Sequence, residues 1–266
     1  MKKKVIVLVP VNCAPKVVMM TLGSWLEATD GSYEAEVILG VHENYHHYHN
    51  GLQSIVDMPV RISRAKEIGW FKLTPEENLI RYSKMHSVNL KAMLEMARGN
   101  NFDRLAILDH DLVFKKDFIG YAMGCGEDLV GSYMDDRIEP VELKTGLGLK
   151  KFAPKFSIWH LVMTARFYQK MMLNVGLIYP EVTREWFYDT FTRVMEANKK
   201  EWNIPVKMLS QMEIGQMIEH RWSMSFNFGP WVASNAEYTK KLAKAEAEYD
   251  QRFPNGIGHL FERVGL

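Results

Sequence analysis

Cysteine is scarce in this chain: among 266 residues there are two, Cys13 and Cys125. Two thiols make no disulfide framework, so any stable fold has to be held by its apolar core. Long hydrophobic runs are lacking too. No window reaches eighteen apolar residues, which excludes a membrane-spanning helix. The opening MKKKVIVLVPVN passes from lysines into Pro10 and Asn12 without a signal-peptide apolar stretch, and a cytoplasmic protein is the expectation. Charge of one sign is absent: 33 Lys and Arg oppose 32 Asp and Glu, leaving a formal +1. No overall field draws the molecule to nucleic acid or an anionic bilayer. Internal repeats with a period of 20 to 50 residues are missing as well, which excludes a solenoid.

What is present is a globular composition, 47% apolar with seven tryptophans, too rich in aliphatics for a disordered chain. Residues 5–9 (VIVLV) read as a strand buried on both faces. Val17, Val18, Leu22, Trp25 and Leu26 recur at helical spacing over 15–27, and 36–41 (EVILGV) reads as a second strand. A β-α-β unit of this kind builds a mostly parallel sheet covered by helices. A short strand at 59–62 extends it. Thr74-Pro75-Glu76-Glu77 has the form of a capping box with proline at the first helical position, predicting a helix to Arg98 stopped by Gly99. Leu79, Met85, Leu90, Met93 and Met96 or Ala97 form its buried face. Residues 105–108 (LAIL) are the next buried strand, ending abruptly at Asp109-His110-Asp111.

In an open α/β sheet, ligands bind beyond the carboxyl ends of the strands. Alternation along an extended chain puts Asp109 and Asp111 on one side, a pair of hard oxygen ligands suited to Mg²⁺ or Mn²⁺ carrying a diphosphate. The competing reading is a turn or helix cap, where aspartate is equally at home.

The order strand, helix, strand, long helix, then an apolar strand running into Asp-x-Asp, resembles the N-terminal half of nucleotide-sugar glycosyltransferases of the GT-A fold. Residues 105–114 are similar to that family's DXD segment, and the resemblance covers about residues 4–135, extending weakly beyond. It implies an α/β fold, Rossmann-like, with a mostly parallel central sheet flanked by helices. A GT-A domain over 1–232 would divide into a nucleotide-sugar half (1–135) and an acceptor half (136–232), with 233–266 as a C-terminal helical extension or lid. It also implies a nucleotide pocket of Pro10, Val11 and Asn12 after the first strand, Glu43 after the second, Arg81 and Asn89 (or Ser87) on the long helix, and Asp109, His110 and Asp111. Asp109 and Asp111 would hold Mn²⁺ or Mg²⁺.

In the second half, 128–133, 156–163 and 204–208 read as strands, 165–172 as a helix, and 190–202 as an amphipathic helix. Trp159 and His160 are suited to an acceptor sugar, an aromatic face matching the C–H side of a pyranose, and equally to a core. Gly146 to Gly148 with Lys150 and Lys151 read as a flap. Inverting relatives carry an acidic base near a helix start, because the acceptor hydroxyl must lose a proton as it attacks. That makes Glu185 the first candidate and Asp189 the second, with Glu181 nearby. A late histidine completing the metal site would be His220, or failing that His259, and an imidazole ligand tilts the choice toward Mn²⁺. His42, His46, His47 and His49 lack the spacing of a metal site and read as a polar loop. Residues 240–249 read as a charged helix with Leu242, Ala245 and Tyr249 on one stripe.

The function implied is metal-dependent transfer of a sugar from a nucleoside-diphosphate sugar to an acceptor hydroxyl. Two alternatives compete. A nucleotidyltransferase forming a sugar nucleotide usually has a glycine-rich loop after the first strand, and residues 10–15 (PVNCAP) have none. A noncatalytic carbohydrate-binding protein would use the aromatics without Asp-x-Asp.

Overall fold

The computed structural model describes residues 2–11, 14–42, 52–65, 74, 76, 79–134, 140–145, 148–221 and 236–266. In chain order the elements are β1 (Lys3–Val11), α1 (Pro15–Ala28), β2 (Tyr33–His42), α2 (Leu52–Val56), β3 (Arg61–Ala65), α3 (Arg81–Ala97), β4 (Arg104–Leu108) and β5 (Leu112–Phe114). Next come α4 (Phe118–Gly124), β6 (Leu129–Tyr133), β7 (Val141–Thr145), β8 (Gly148–Phe152), β9 (Phe156–Thr164) and α5 (Ala165–Leu173). The last are β10 (Glu181–Val182), β11 (Trp186–Tyr188), α6 (Thr192–Ala197), β12 (Val206–Leu209), α7 (Gln211–Gly215), β13 (Ile218–His220) and α8 (Ala236–Arg252).

Seven strands form the central sheet in the order β12-β6-β9-β4-β1-β2-β3. The pairs β1-β2, β1-β4, β2-β3 and β6-β12 are parallel, while β9 runs antiparallel to both β4 and β6. The chain is thus a mixed α/β protein with a mostly parallel, Rossmann-like sheet flanked by helices. Its strands are apolar on both sides for a simple reason. Val5, Val7, Val9, Ala106 and Leu108 pack with α1. Ile6, Leu8, Leu105 and Ile107 pack with Leu90, Met93 and Leu94 of α3 and with Phe167 and Met171 of α5. A strand covered on both faces cannot alternate polar with apolar.

The C-terminal segment joins the α1 side of this core. Ala245 and Tyr249 of α8, then Phe253, Ile257, Phe261 and Val264, are all buried there. Ion pairs Lys16–Asp250 and Arg252–Glu27, both 2.6 Å, flank the contact. Among the described residues no helix is long and apolar enough to cross a membrane.

Three expectations need correction. The long helix is not continuous from Thr74: Ile80, at φ −111° and ψ 11°, leaves the helical path, and α3 starts at Arg81. Leu79, expected on the buried face, precedes that break and is 46% exposed; Glu77 lies outside the described residues. Gly99 does terminate the helix, at φ +84°. Second, 148–151 is no loose flap. β7 and β8 pair as an antiparallel hairpin within a separate four-stranded sheet of order β10-β11-β8-β7. Third, the helix expected over 190–202 is α6 followed by a wider turn at Asn198–Trp202, closed by Asn203 in the left-handed region at φ 48°.

Candidate metal centre

β4 is fully buried, and the chain leaves it at Asp109 still inside the protein; Asp109, His110 and Asp111 are each no more than 1% exposed. The chain then re-extends as β5, which pairs antiparallel with β13 so that Leu112 faces His220. That pairing brings an imidazole from the far end of the sequence against the two acids. His220 Nε2 lies 2.7 Å from Asp111 Oδ1 and 3.9 Å from Asp109 Oδ2. One donor atom from each of Asp109, Asp111 and His220 lies within 4.8 Å of the other two.

His110 turns the other way and secures the bend. Its ring Nδ1 is 3.0 Å from the Pro10 carbonyl and 2.8 Å from Asp109 Oδ1, and its backbone N–H donates to that same oxygen at 2.9 Å. Asp109 Oδ2 makes no hydrogen bond among the described residues. Burial pushes the Asp109 carboxyl upward, but His110, through charge and hydrogen bond, with His86 and His220 behind it, outweighs burial and holds the group below the usual carboxylate range. His220 shows the reciprocal effect: burial lowers it, and the hydrogen bond and charge of Asp111 lift it above its ordinary value.

Two further histidines approach the site. The Leu108↔His160 register places His160 beside the end of β4. Its Nε2 meets Ser132 Oγ at 2.7 Å, its ring stands edge-on to Phe118, and burial pushes its pKa down to about 3. His86 of α3 is more unusual. Both of its ring nitrogens are shielded from solvent with no hydrogen-bond partner among the described residues. Burial pushes its pKa down to about 4, with the Asp109 charge opposing. Its position follows from the packing: Ile107 sits on the α3 face of the sheet, so Asp109 continues that face. Asn89, one turn along α3, reaches the Gly40 carbonyl near the end of β2, and His86 lies a turn further toward the strand ends.

The other expected residues divide clearly. Pro10 contributes its carbonyl to His110, and Val11 is buried at the end of β1. Asn12, Glu43, His46, His47 and His49 lie outside the described residues, as do the side chains of His42 and Trp159; Trp159 supplies backbone to β9. Arg81 is half-buried at the first turn of α3. Asn89 is buried, donating to Gly40 at 2.8 Å, and a Cβ built on Gly40 would come within 2.5 Å of its Oδ1, so glycine is what lets helix and strand close. Ser87 meets Thr190 at 2.8 Å.

The acidic segment departs from the helix-start expectation. Glu185 is exposed in the turn between β10 and β11, in the smaller sheet, with its carbonyl accepting from Lys151 N–H. Only Asp189 stands at a helix start. Its Oδ1 accepts from the N–H groups of Phe191 and Thr192 at 3.2 Å and from Thr192 Oγ1 at 2.9 Å. Glu181 pairs with Arg193 at 3.3 Å. His259 is exposed in the C-terminal 3₁₀ turn, Gly258–Val264, apart from the acids, so of the two late histidines it is His220 that meets them. His86 was not among the expected residues, although a signal existed: it precedes the buried Leu90 by four and Met93 by seven, placing a histidine on the apolar stripe of the helix.

No family model matches this chain, and no curated protein matches it in sequence. Among solved structures it is similar to the inositol-1-phosphate CTP transferase from T. maritima, with 12% identity over 92% of this chain and 96% of that one and a TM-score of 0.42. A likeness that slight carries no chemistry from one chain to the other.

The donor set itself is a fair test of fit for a metal. Two carboxylates and one imidazole converge, one carboxylate oxygen accepts no hydrogen bond among the described residues, and this mixture of hard oxygen and borderline nitrogen suits Mn²⁺ or Mg²⁺.

Proposed function

We propose that this protein is a divalent-cation-dependent glycosyltransferase built on the GT-A plan, moving a sugar from a nucleoside-diphosphate sugar to an acceptor hydroxyl. The observation that carries the reading is the convergence of Asp109, Asp111 and His220 at the carboxyl edge of a mostly parallel sheet, where α/β proteins bind ligands. Asp109, Asp111 and His220 would hold the cation. When bound, it supplies positive charge against a diphosphate leaving group. His110 fixes the bend on which both acids stand. His86 and His160, whose neutral imidazoles border the acids, shape the wall of the site without adding positive charge at neutral pH. Glu185 is exposed and open to an acceptor, whereas Asp189 Oδ1 is occupied by the Phe191 and Thr192 N–H groups and the Thr192 hydroxyl ahead of α6.

Nucleotidyl transfer to a sugar phosphate is the second reading, favoured by one observation: the expected acceptor base, Glu185, sits in the turn of a separate sheet while the cation ligands stand together without it. The same ligands would serve phosphoryl chemistry equally well. Purified protein incubated with Mn²⁺ or Mg²⁺ separates the two. A panel of UDP-, GDP-, CDP- and TDP-sugars releasing nucleoside diphosphate supports glycosyl transfer. Pyrophosphate released from a nucleoside triphosphate and a sugar 1-phosphate supports the second reading. Neither product, together with no cation-dependent thermal shift by any nucleotide, rejects both.

A further inference from the structure

The bend that carries the acids is irregular backbone buried in the protein, and buried carbonyl and amide groups outside regular structure need partners. Helix α1 provides them. Thr21 Oγ1 donates to the carbonyl of His110, the residue between the two acids, at 2.7 Å. Ser24 Oγ accepts the Phe114 N–H at 3.0 Å, and donates to the Thr21 carbonyl at 3.1 Å. Both side chains are completely buried. From its other side the bend is held by the His110 ring against the Pro10 carbonyl. Two hydroxyls of one helix therefore anchor β5 at its far end and the bend at its centre.

We infer that Thr21, with Ser24 one turn along α1, is a positioning residue of the cation site: its hydroxyl fixes the His110 carbonyl and so sets the separation of the Asp109 and Asp111 carboxylates. The inference rests on the cation reading above. Groups behind metal ligands matter because an ordered carboxylate pair binds without first being ordered, and their loss typically weakens affinity about 10- to 100-fold. A valine in place of Thr21 keeps the shape and removes the hydroxyl that donates to the His110 carbonyl.

The test compares Mn²⁺ affinity, read from the electron paramagnetic resonance of the free ion, with melting temperature in the absence of metal. The control is Thr29→Val. Thr29 is a buried hydroxyl at the other end of α1 that donates to Asp117 and touches neither acid. Thr21→Val is expected to raise the Mn²⁺ Kd about 10- to 100-fold, and Thr21→Ser to restore it. Thr29→Val should lower the melting temperature and leave the Kd unchanged. Wild-type affinity in Thr21→Val, or an equal loss in Thr29→Val, overturns the positioning role. Should Thr21→Val fail to fold, Ser24→Ala is judged against Thr29→Val in the same way. Asp111→Asn separates the two levels: if it abolishes Mn²⁺ binding while Thr21→Val does not, only the inference falls. If wild type binds no Mn²⁺, the cation reading falls with it.

Discussion

Asp109 is a buried carboxylate and Asp189 a half-buried one, and their surroundings push them in opposite directions. Burial raises both. At Asp109 the imidazoles of His110, His86 and His220 overcome it, and the group stays ionised. At Asp189 the donors are Thr192 and two backbone amides, with the Lys155 charge in support, and burial prevails, leaving the carboxyl above its ordinary value. The difference comes from the elements that place them. Asp109 leaves a central strand into a meeting point of α3, β5 and β13, where His86 of α3, His220 of β13 and His110 of the bend itself gather. Asp189 leaves a short strand of the smaller sheet and turns directly into α6, where the nearest donors are those of its own helix. Among the described residues one Asp109 oxygen accepts no hydrogen bond, as the proposed cation site requires, whereas an Asp189 oxygen is taken up by backbone N–H groups ahead of α6.

Paired substitutions break this contrast most sharply. Asp109→Asn should weaken cation-dependent nucleotide binding by more than about 100-fold, since it removes a ligand and not a group behind one. Asp189→Ala should leave that binding intact and cost about 0.5–2 kcal/mol in denaturant unfolding, the range for losing a side chain that accepts from backbone N–H groups at a helix start. Equal effects on binding would erase the distinction between the two regions.

Glu185→Gln comes next. If the exposed turn of the smaller sheet faces the acceptor, transfer falls about 10²- to 10⁴-fold with nucleotide affinity preserved. Unchanged turnover removes Glu185 from the chemistry and shifts weight to nucleotidyl transfer.

The histidines near Asp109 sharpen the contrast through pH. His86 and His160 titrate near 4 and 3 in the folded protein, against about 6.5 when unfolded. Between pH 6.5 and these lower values the unfolded chain binds more protons than the folded one, so stability falls as pH falls through that window. For His86 alone the effect is on the order of 3 kcal/mol. Asp109, lowered in the fold, loses its contribution only in more acidic solution, below the ordinary carboxylate pKa. Urea titrations with chelator at pH 7 and pH 5 are the measurement, and His86→Gln should flatten the dependence. An unaltered slope in that variant means His86 is not held neutral by burial.

The smallest effect on nucleotide binding concerns Asn89. Its bond to Gly40 predicts that Asn89→Ala costs about 1–3 kcal/mol by leaving a buried carbonyl unmet. KM for the nucleotide should not move. A raised KM without loss of stability would return Asn89 to the nucleotide pocket.

Much of the scaffold was readable directly. Continuous apolar runs announced β1, β2 and β4, Gly99 announced the end of α3, and the Asp-x-Asp following a buried strand marked the place of the acids. The failures are equally specific. Leu79 fits the helical stripe but lies beyond the break at Ile80. Residues 148–152 (GLKKF) have the composition of a loop, yet two strands of the smaller sheet supply partners for their backbone. Glu185 shares a stretch with Asp189 and ends in a different kind of structure.

From its sequence alone this chain determines the principal strands and helices of the central sheet, that this sheet is covered on both faces, and that two aspartates stand where a buried strand stops. These properties are local, because periodicity and burial are written into neighbouring side chains. Tertiary structure alone decided that His220 and not His259 meets the acids, that His86 borders them with no hydrogen-bond partner among the described residues, and that Thr21 holds the bend between them. Each of those depends on the β5–β13 pairing or on the packing of α1 and α3 against the sheet. Such contacts join residues distant along the chain, and their energy is distributed over the whole core and absent from any short window of sequence.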